Sequence, residues 1–213
     1  MRNVELYFDF SCPWSYLALL RLQDVCERNR ARLVLKPVDV QAVLSTEHPA
    51  LADDRWAPNP AKAAWQQADL QAWARFWGLT LQLDEHWPRR CDTAAAAALA
   101  ATTGPVGLAF CRELFRLAFA EGQDPNAAAT LEAAASTSGA DTAAVAQARE
   151  SADGKARVEA NGVELVRRGG FGTPSIFVDE TLFFGNDRIP LVEWTLGPMS
   201  EEDFVMPGQH NVY

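Results

Sequence analysis

The segment Cys12-Pro13-Trp14-Ser15 constrains this chain more than any other, because it stands where a predicted strand gives way to a predicted helix. Residues 4–10 are mainly β-branched and aromatic, which predicts a buried strand. Pro13 has no N–H to lose and a fixed φ, so it suits the first position of a helix. From residue 14 to about residue 29, apolar side chains recur at roughly helical spacing. Cys12 is therefore expected just before the N-terminus of the first helix.

This position bears on the chemistry of Cys12. Unpaired backbone N–H groups and the positive end of the helix dipole favour the thiolate, which is the reactive form of cysteine. An isolated cysteine is more often a small buried hydrophobe, but a strand–Cys-Pro–helix junction favours a reactive thiol. Ser15 occupies the place of the second sulfur of a Cys-x-x-Cys redox pair. The thiol can therefore attack a disulfide, but it has no resolving thiol beside it.

Charge and cysteine usage exclude several classes of protein. The formal net charge of −9 argues against nucleic acid and anionic membranes as partners. The four cysteines form neither a disulfide framework nor a zinc pattern, and the three histidines lack metal-ligand spacing. We therefore expect no metal site. Neither a signal peptide nor a membrane-spanning stretch is evident, so we expect a cytoplasmic protein.

After the first helix the pattern predicts a second strand and then a long series of helices. The predicted elements are a strand over 32–40, a loop over 45–60, helices over 61–78, 94–101 and 107–120, and three short helices within 127–167. The breaks within the last stretch are expected near Ser138-Gly139 and Asp153-Gly154.

The C-terminal part returns to strands. Residues 175–178 and 181–185 predict a hairpin with a tight turn at 179–180, and a last helix is expected over 188–196, capped by Asn186 or Asp187. The order βαβ, helices, ββα predicts an α/β protein of thioredoxin-like fold with a large helical insertion. We expect a discontinuous thioredoxin-like domain over 1–45 and 166–213, and an insertion domain over 46–165.

Four segments resemble one known family. Tyr7-Phe8-Asp9-Phe10 followed by Cys12-Pro13-Trp14-Ser15-Tyr16-Leu17-Ala18 resembles the opening of the 2-hydroxychromene-2-carboxylate isomerases. These enzymes are similar to kappa-class glutathione transferases and, more remotely, to bacterial disulfide oxidoreductases with a helical insertion. Phe171-Gly172-Thr173-Pro174 resembles the loop whose proline is cis in this superfamily, and Phe184-Gly185-Asn186-Asp187-Arg188 resembles the family's Trp-Gly-Asn-Asp-Arg segment. Asn59-Pro60-x-Lys62-x-x-Trp65-x-x-x-Asp69-Leu70 is a weaker match.

The resemblance implies that glutathione is bound with its thiol near Cys12. The main chain at Thr173, before Pro174, would pair with the cysteinyl unit of glutathione as an edge strand does. An ordinary turn is the alternative for this dipeptide. Asp187 would accept hydrogen bonds from the γ-glutamyl ammonium, and the helix N-terminus at Asn186 would hold the γ-glutamyl carboxylate. Plain N-capping explains the same two residues without a ligand.

Other residues carry weaker expectations. By resemblance Lys62 would pair with a ligand carboxylate and Asn59 would donate to one, although a solvated surface role is the default for such a lysine. Arg89-Arg90 can receive a substrate carboxylate or remain a solvated pair. Trp14, Trp65 and Trp73 can form the wall of an aromatic pocket, but tryptophans at helical spacing are more often core.

One departure from the family affects the chemistry. The isomerases typically carry a serine at the position of Cys12, where it stabilises the thiolate of bound glutathione. The leading hypothesis is a glutathione-dependent isomerase of the 2-hydroxychromene-2-carboxylate isomerase type, acting on an aromatic pyruvate or similar small electrophile. The alternatives are a single-cysteine thiol–disulfide oxidoreductase or glutathione transferase using Cys12, and a glutathione-binding protein without turnover. The resemblance also implies a homodimer.

Overall fold

A four-stranded mixed sheet forms the centre of the protein. The computed structural model describes residues 1–47, 49, 59–83, 87–101 and 104–197. The strands are β1 (Asn3–Phe8), β2 (Arg32–Pro37), β3 (Ser175–Val178) and β4 (Thr181–Phe184), and they lie in the order β2-β1-β3-β4. β1 pairs parallel with β2 and antiparallel with β3, which pairs antiparallel with β4. The predicted thioredoxin-like fold with a helical insertion is confirmed, because the two halves of the sheet are separated in sequence by a run of helices.

Helices account for most of the remaining described residues. They are α1 (Pro13–Arg28), α2 (Val40–Glu47), α3 (Pro60–Phe76), α4 (Asp92–Ala101), α5 (Gly104–Ala120), α6 (Ala128–Ser138), α7 (Thr142–Glu150), α8 (Ala152–Arg167) and α9 (Ile189–Leu196), the last preceded by a 3₁₀ turn over Asn186–Arg188. None of the helices in this described part of the chain has the length and apolar character that a bilayer crossing requires. The division into domains at residues 45/46 and 165/166 stays a prediction.

The end of the second strand and the start of the loop predicted after it differ from the prediction. The strand ends at Pro37, and Val40 already belongs to α2. Asp39 causes this change, because its Oδ1 accepts hydrogen bonds from the N–H groups of Gln41 and Ala42 and so caps a helix. The predicted loop over 45–60 is therefore wrong at its start, and residues 48 and 50–58 lie outside the described part.

The three short helices predicted within 127–167 are present, but one break is misplaced. The break at Ser138-Gly139 is confirmed, with Gly139 in the left-handed region at φ 74°. The break near Asp153-Gly154 is wrong, because α8 already begins at Ala152. The Oγ atom of Ser151 accepts a hydrogen bond from the N–H of Gly154 at 2.8 Å, so this serine caps α8.

The core lies on both faces of the sheet. On one face, Phe115 of α5 packs its ring against Phe8, Phe10 and Tyr16, with centroid distances of 4.6 to 5.7 Å. This aromatic cluster joins the insertion to β1 and α1, and it holds the junction that carries Cys12. The other face buries Tyr7 with Val38, Leu165 and Phe177.

The buried phenol of Tyr7 should make the free energy of unfolding depend on pH in the alkaline range. Burial raises the pKa of its phenol to about 12, although Arg168, which donates a hydrogen bond to Tyr7 Oη, acts in the opposite direction. The phenol of the unfolded chain ionises near pH 10, so the free energy of unfolding should fall as pH rises from about 10 to about 12. Urea unfolding at several pH values should show a shallower fall for Tyr7→Phe, which has no phenolic proton. An equally steep fall in wild type and variant would contradict this assignment.

Candidate active site

The Cys12 thiol connects the start of α1 with the loop before β3. Cys12 is the N-cap residue of α1, as predicted, and only 3% of the residue is exposed. Its Sγ donates a hydrogen bond to the main-chain carbonyl of Thr173 at 3.3 Å. The peptide bond between Thr173 and Pro174 is cis, as the resemblance implied. The structure therefore brings Cys12, Thr173 and Pro174 together.

A buried carboxylate shapes the turn that carries Cys12. Asp9 is 2% exposed, and its two oxygens accept hydrogen bonds from the N–H groups of Ser11 at 2.6 Å and Val40 at 2.7 Å. Its main-chain carbonyl accepts from the N–H of Cys12 at 3.0 Å. Asp9 thus fixes the path of the chain between β1 and α1 and ties that path to α2. This role of Asp9 was not predicted from the sequence.

Ser15 occupies the position of a second redox cysteine and is fully buried. The N–H of Asp9 donates a long hydrogen bond to Ser15 Oγ at 3.5 Å, which links the end of β1 to the first turn of α1. No disulfide joins the chain's four cysteines, all of which lie in the described part. Burial raises the pKa of the Cys26 thiol to about 12 and also raises the pKa of Cys111. These two thiols are therefore held in the unreactive protonated form.

Two buried polar atoms beside the cis-proline loop find no hydrogen-bond partner within the described residues. They are Thr173 Oγ1 and Asn186 Nδ2, whose residues are 8% and 6% exposed. The N–H of Gly185 donates to the carbonyl of Pro174 at 3.0 Å, so the Asn186 segment lies directly against this loop. Buried polar groups are nearly always paired, and an unpaired one calls for an explanation such as a ligand.

The expected capping roles of Asn186 and Asp187 are wrong. The N-cap positions are occupied by Gly185 for the 3₁₀ turn and by Arg188 for α9, and neither helix start has a side-chain cap. Gly185 adopts φ 104°, which turns the chain so that the Asn186 side chain is buried. Asp187 remains exposed, with its Oδ2 3.8 Å from Nε of Arg188.

Asn59 and Lys62 both lie at the start of α3. Asn59 is the N-cap residue, and its Oδ1 accepts from the N–H of Ala61 at 3.0 Å, which leaves its amide NH₂ for other partners. Lys62 is exposed on the first turn of the helix. The expected contact of both residues with a ligand carboxylate stays a prediction.

The two arginines considered for a substrate carboxylate are already engaged by carboxylates of the chain. Arg89 forms an ion pair with Asp124 at 2.7 Å, and Arg90 forms one with Asp39. The hydrogen bond from Arg90 to Asp39 raises the pKa of Arg90. Arg90 lines a cavity of about 430 Å³ between α2 and α8, but the carboxylate of Asp39, in the same lining, balances its charge. The alternative of a solvated pair agrees with Arg90, whose side chain is 57% exposed, but not with Arg89, whose side chain is 18% exposed.

The aromatic side chains beside the cis-proline loop are not the tryptophans that the sequence suggested for an aromatic pocket. Trp14 and Trp73 pack against the core, whereas Trp65 is exposed. The aromatic pair beside the cis-proline loop is Phe171 and Phe184, whose ring centroids lie 4.5 Å apart. Sequence reasoning missed this pair, although both residues belong to the segments that carry the resemblance.

Several known proteins are similar to this chain in sequence or in fold. A 2-hydroxychromene-2-carboxylate isomerase of Sphingobium xenophagum is 28% identical over 193 residues, which cover 90% of this chain and 96% of the relative. A solved structure of 2-hydroxychromene-2-carboxylate isomerase superposes with a TM-score of 0.78 at 23% identity, over 91% of this chain and 94% of the other. The cytosolic disulfide reductase DsbM of Pseudomonas aeruginosa, solved with GSH, gives a TM-score of 0.57 at 18% identity, over 91% and 98% of the two chains.

The family assignment rests on a match along most of the chain. The sequence pattern of the DSBA-like thioredoxin domain matches residues 3–197. This range includes all four strands, the cis-proline loop and the Cys12 junction. The resemblance to the 2-hydroxychromene-2-carboxylate isomerases is confirmed by the relatives of that name. The chain belongs to the family of DSBA-like thioredoxin domains.

Proposed function

We propose that the protein is a glutathione-dependent isomerase of the 2-hydroxychromene-2-carboxylate isomerase type, acting on an aromatic pyruvate or a similar small electrophile. One observation carries the proposal: the Cys12 thiol at the N-terminus of α1 faces the main chain of Thr173, next to the unpaired polar atoms of Thr173 and Asn186. The relatives named as isomerases and the DsbM structure with GSH support the choice of reaction and cofactor.

Glutathione fits this arrangement through its peptide backbone. Its cysteinyl unit would pair with the main chain of Thr173, which places its sulfur beside Cys12 and the N–H groups that begin α1. The unpaired Asn186 Nδ2 would donate to the γ-glutamyl carboxylate, and the exposed carboxylate of Asp187 would accept from the γ-glutamyl ammonium.

The glycyl end of glutathione would extend toward α3. There the amide of Asn59 would donate to the glycyl carboxylate and the ammonium of Lys62 would pair with it. Phe171 and Phe184 offer an aromatic surface beside the loop for the second substrate. The proposed partners are glutathione, a small aromatic electrophile and a second copy of the chain.

The proposed reaction needs a sulfur nucleophile but no net oxidation. The thiolate of glutathione adds to the electrophilic carbon of the opened hydroxybenzylidene pyruvate, and the electron pair of the C=C bond moves into the pyruvate unit. The former double bond is now single and rotates. The electron pair then returns, the C–S bond breaks, and the thiolate leaves with the trans product. The protein's part is to stabilise the thiolate at the start of α1 and to hold the substrate against it.

A thiol–disulfide function is the second candidate, and Cys12 itself is the observation that favours it. Its thiolate would attack a glutathione mixed disulfide, form a bond to one sulfur and expel the other as a thiolate. Because the buried Ser15 cannot resolve the new disulfide, a second glutathione would have to do so. Glutathione transfer from Cys12, or binding without turnover, would use the same site.

The test follows the ultraviolet spectrum of 2-hydroxychromene-2-carboxylate mixed with the protein, with and without reduced glutathione. We expect conversion to the trans-benzylidene pyruvate only when glutathione is present. Conversion at equal rates without glutathione would contradict the proposed cofactor. A lack of conversion under both conditions would exclude this substrate and direct attention to Cys12 as a redox nucleophile.

A further inference from the structure

The outer edge of β2 carries main-chain groups that the sheet leaves unpaired. Among the described strands, β2 lies at one end of the sheet and has a neighbour, β1, on one side only. The N–H of Arg32 donates to the carbonyl of Arg2 at 2.8 Å, so the main chain of Arg32 faces β1. Alternate residues of a parallel strand face the same way, so the N–H and C=O groups of Leu33 and Leu35 point away from β1. Within the described part of the chain, none of these four groups forms a hydrogen bond.

Both ends of this free edge are closed, which limits it to a short stretch. Before the strand, the N–H of Ala31 donates to the carbonyl of Cys26 at 2.9 Å. At the other end, Pro37 has no N–H, and its carbonyl accepts a hydrogen bond from Nδ2 of Asn161 at 2.8 Å. The free edge therefore comprises the two leucines, with two N–H groups and two carbonyls.

A second cavity of about 430 Å³ lies beside this edge, between α1 and α5. Its wall is largely apolar and includes Leu33, Leu35, Pro105, Leu108 and Ala109. The structure describes all of α4, and this helix also packs against β2, but none of its residues lines the cavity. The cavity therefore adjoins the free main-chain groups directly.

The charged residues of the lining favour an acidic ligand. They are Glu27, Arg32 and Arg112, two positive and one negative, so the lining has a net charge of +1, whereas the whole chain has −9. Arg112 donates to the side-chain amide oxygen of Gln23, which does not neutralise its charge. Among the described residues, no carboxylate forms an ion pair with either arginine. A ligand with a carboxylate can therefore pair with a guanidinium that the chain itself leaves unbalanced.

We propose that this edge and the cavity beside it bind an extended acidic peptide, which adds to the sheet as a strand antiparallel to β2. In peptide recognition by strand addition, main-chain hydrogen bonds supply affinity and pockets for alternate side chains supply specificity. In an antiparallel pair, directly opposite residues exchange both hydrogen bonds, so three peptide residues satisfy all four free groups. The peptide site is separate from the proposed active site, because neither Cys12 nor the cis-proline loop lines the cavity.

The register of this strand defines the preferred sequence of the peptide. The residues opposite Leu35 and Leu33 place their side chains on the face of the sheet that packs against the main core, and the cavity lies on this face. These two positions therefore require apolar side chains. The residue after them lies opposite Arg32, where a carboxylate pairs with the guanidinium. Read from its N-terminus, the preferred sequence is apolar-x-apolar-acidic, with x opposite Val34.

Fluorescence anisotropy with a labelled hexapeptide, Ser-Val-Thr-Val-Glu-Ser, tests the proposal on the full chain. We expect saturable binding to wild type and a dissociation constant at least about tenfold higher for Arg32→Glu, because the opposed carboxylates repel each other. The matched control is Arg157→Glu on α8, since Arg157 is exposed and does not line the cavity, and this variant should bind like wild type. A lack of binding to wild type up to about 1 mM protein, or equal weakening by the two substitutions, would overturn the proposal.

Backbone N-methylation of the peptide tests the pairing and leaves the protein unchanged. Methylation of the first or the second valine removes the N–H that donates to the carbonyl of Leu35 or Leu33, and should raise the dissociation constant at least about tenfold. Methylation of the threonine is the control, because its N–H points away from β2 and its loss should have little effect. Equal weakening at all three positions would overturn strand addition. Neither binding test uses glutathione, so both results are independent of the reaction proposed above.

Discussion

Replacing Cys12 by alanine is expected to lower kcat/KM of the glutathione-dependent isomerisation about 10- to 100-fold, whereas Cys12→Ser should keep the activity of wild type or exceed it. Removing one donor to a developing oxyanion typically lowers kcat about 10²- to 10³-fold. A thiol is a weaker hydrogen-bond donor than a hydroxyl, so the loss of the Cys12 thiol should lower the rate less than the loss of such a donor. The hydroxyl of Cys12→Ser can donate in place of the thiol, so the serine variant should remain active. The N–H groups at the start of α1 remain in all three proteins.

Initial rates at saturating glutathione, measured by the ultraviolet change of the chromene, give this comparison. Cys26→Ala serves as a control, because its buried thiol, whose pKa is raised to about 12, lies on the far part of α1 and should not affect the rate. If Cys12→Ser loses activity as fully as Cys12→Ala, the Cys12 sulfur is itself the nucleophile. Mass spectrometry after incubation with oxidised glutathione would then show a glutathione adduct on wild type and none on either Cys12 variant.

Asp9→Ala is expected to lower the free energy of unfolding by about 3 kcal/mol. The substitution leaves two buried N–H groups, those of Ser11 and Val40, without the carboxylate that now binds both. Each hydrogen bond to a charged group contributes about 1.5–3 kcal/mol, and an unpaired buried donor adds a penalty. Asp9→Asn should lose about half as much, because its amide oxygen can still accept one of the two bonds.

Urea unfolding of wild type and both Asp9 variants measures this effect. Asp24→Ala on α1 is the matched control, since the carboxylate of Asp24 is about half exposed and pairs with Arg21 at 3.2 Å. Exposed ion pairs of this kind are worth less than about 1 kcal/mol, so the control should stay close to wild type. An Asp9→Ala midpoint no lower than that of the control would show that Asp9 does not hold the turn together.

Much of the fold could be predicted because its signals are local. Pro13 at the first helical position and the apolar spacing behind it predict α1, and Gly139 ends α6 where a left-handed residue is needed. The start of α2 had a local signal too, in the capping carboxylate of Asp39, but the prolines further along favoured a loop. Ser151 likewise marked the start of α8, two residues before the Asp153-Gly154 pair at which the glycine favours a break.

The candidate site was predictable only in part, because its geometry joins distant segments. The position of Cys12 between a strand and a helix follows from local sequence, since the residues responsible are its neighbours. The contact of its thiol with the carbonyl of Thr173, 161 residues away, depends on the fold. The tertiary structure also placed Asn186 in a buried position without a partner and paired Arg90 with Asp39. Strand order and packing bring such groups together, and no local pattern records which side chains will meet.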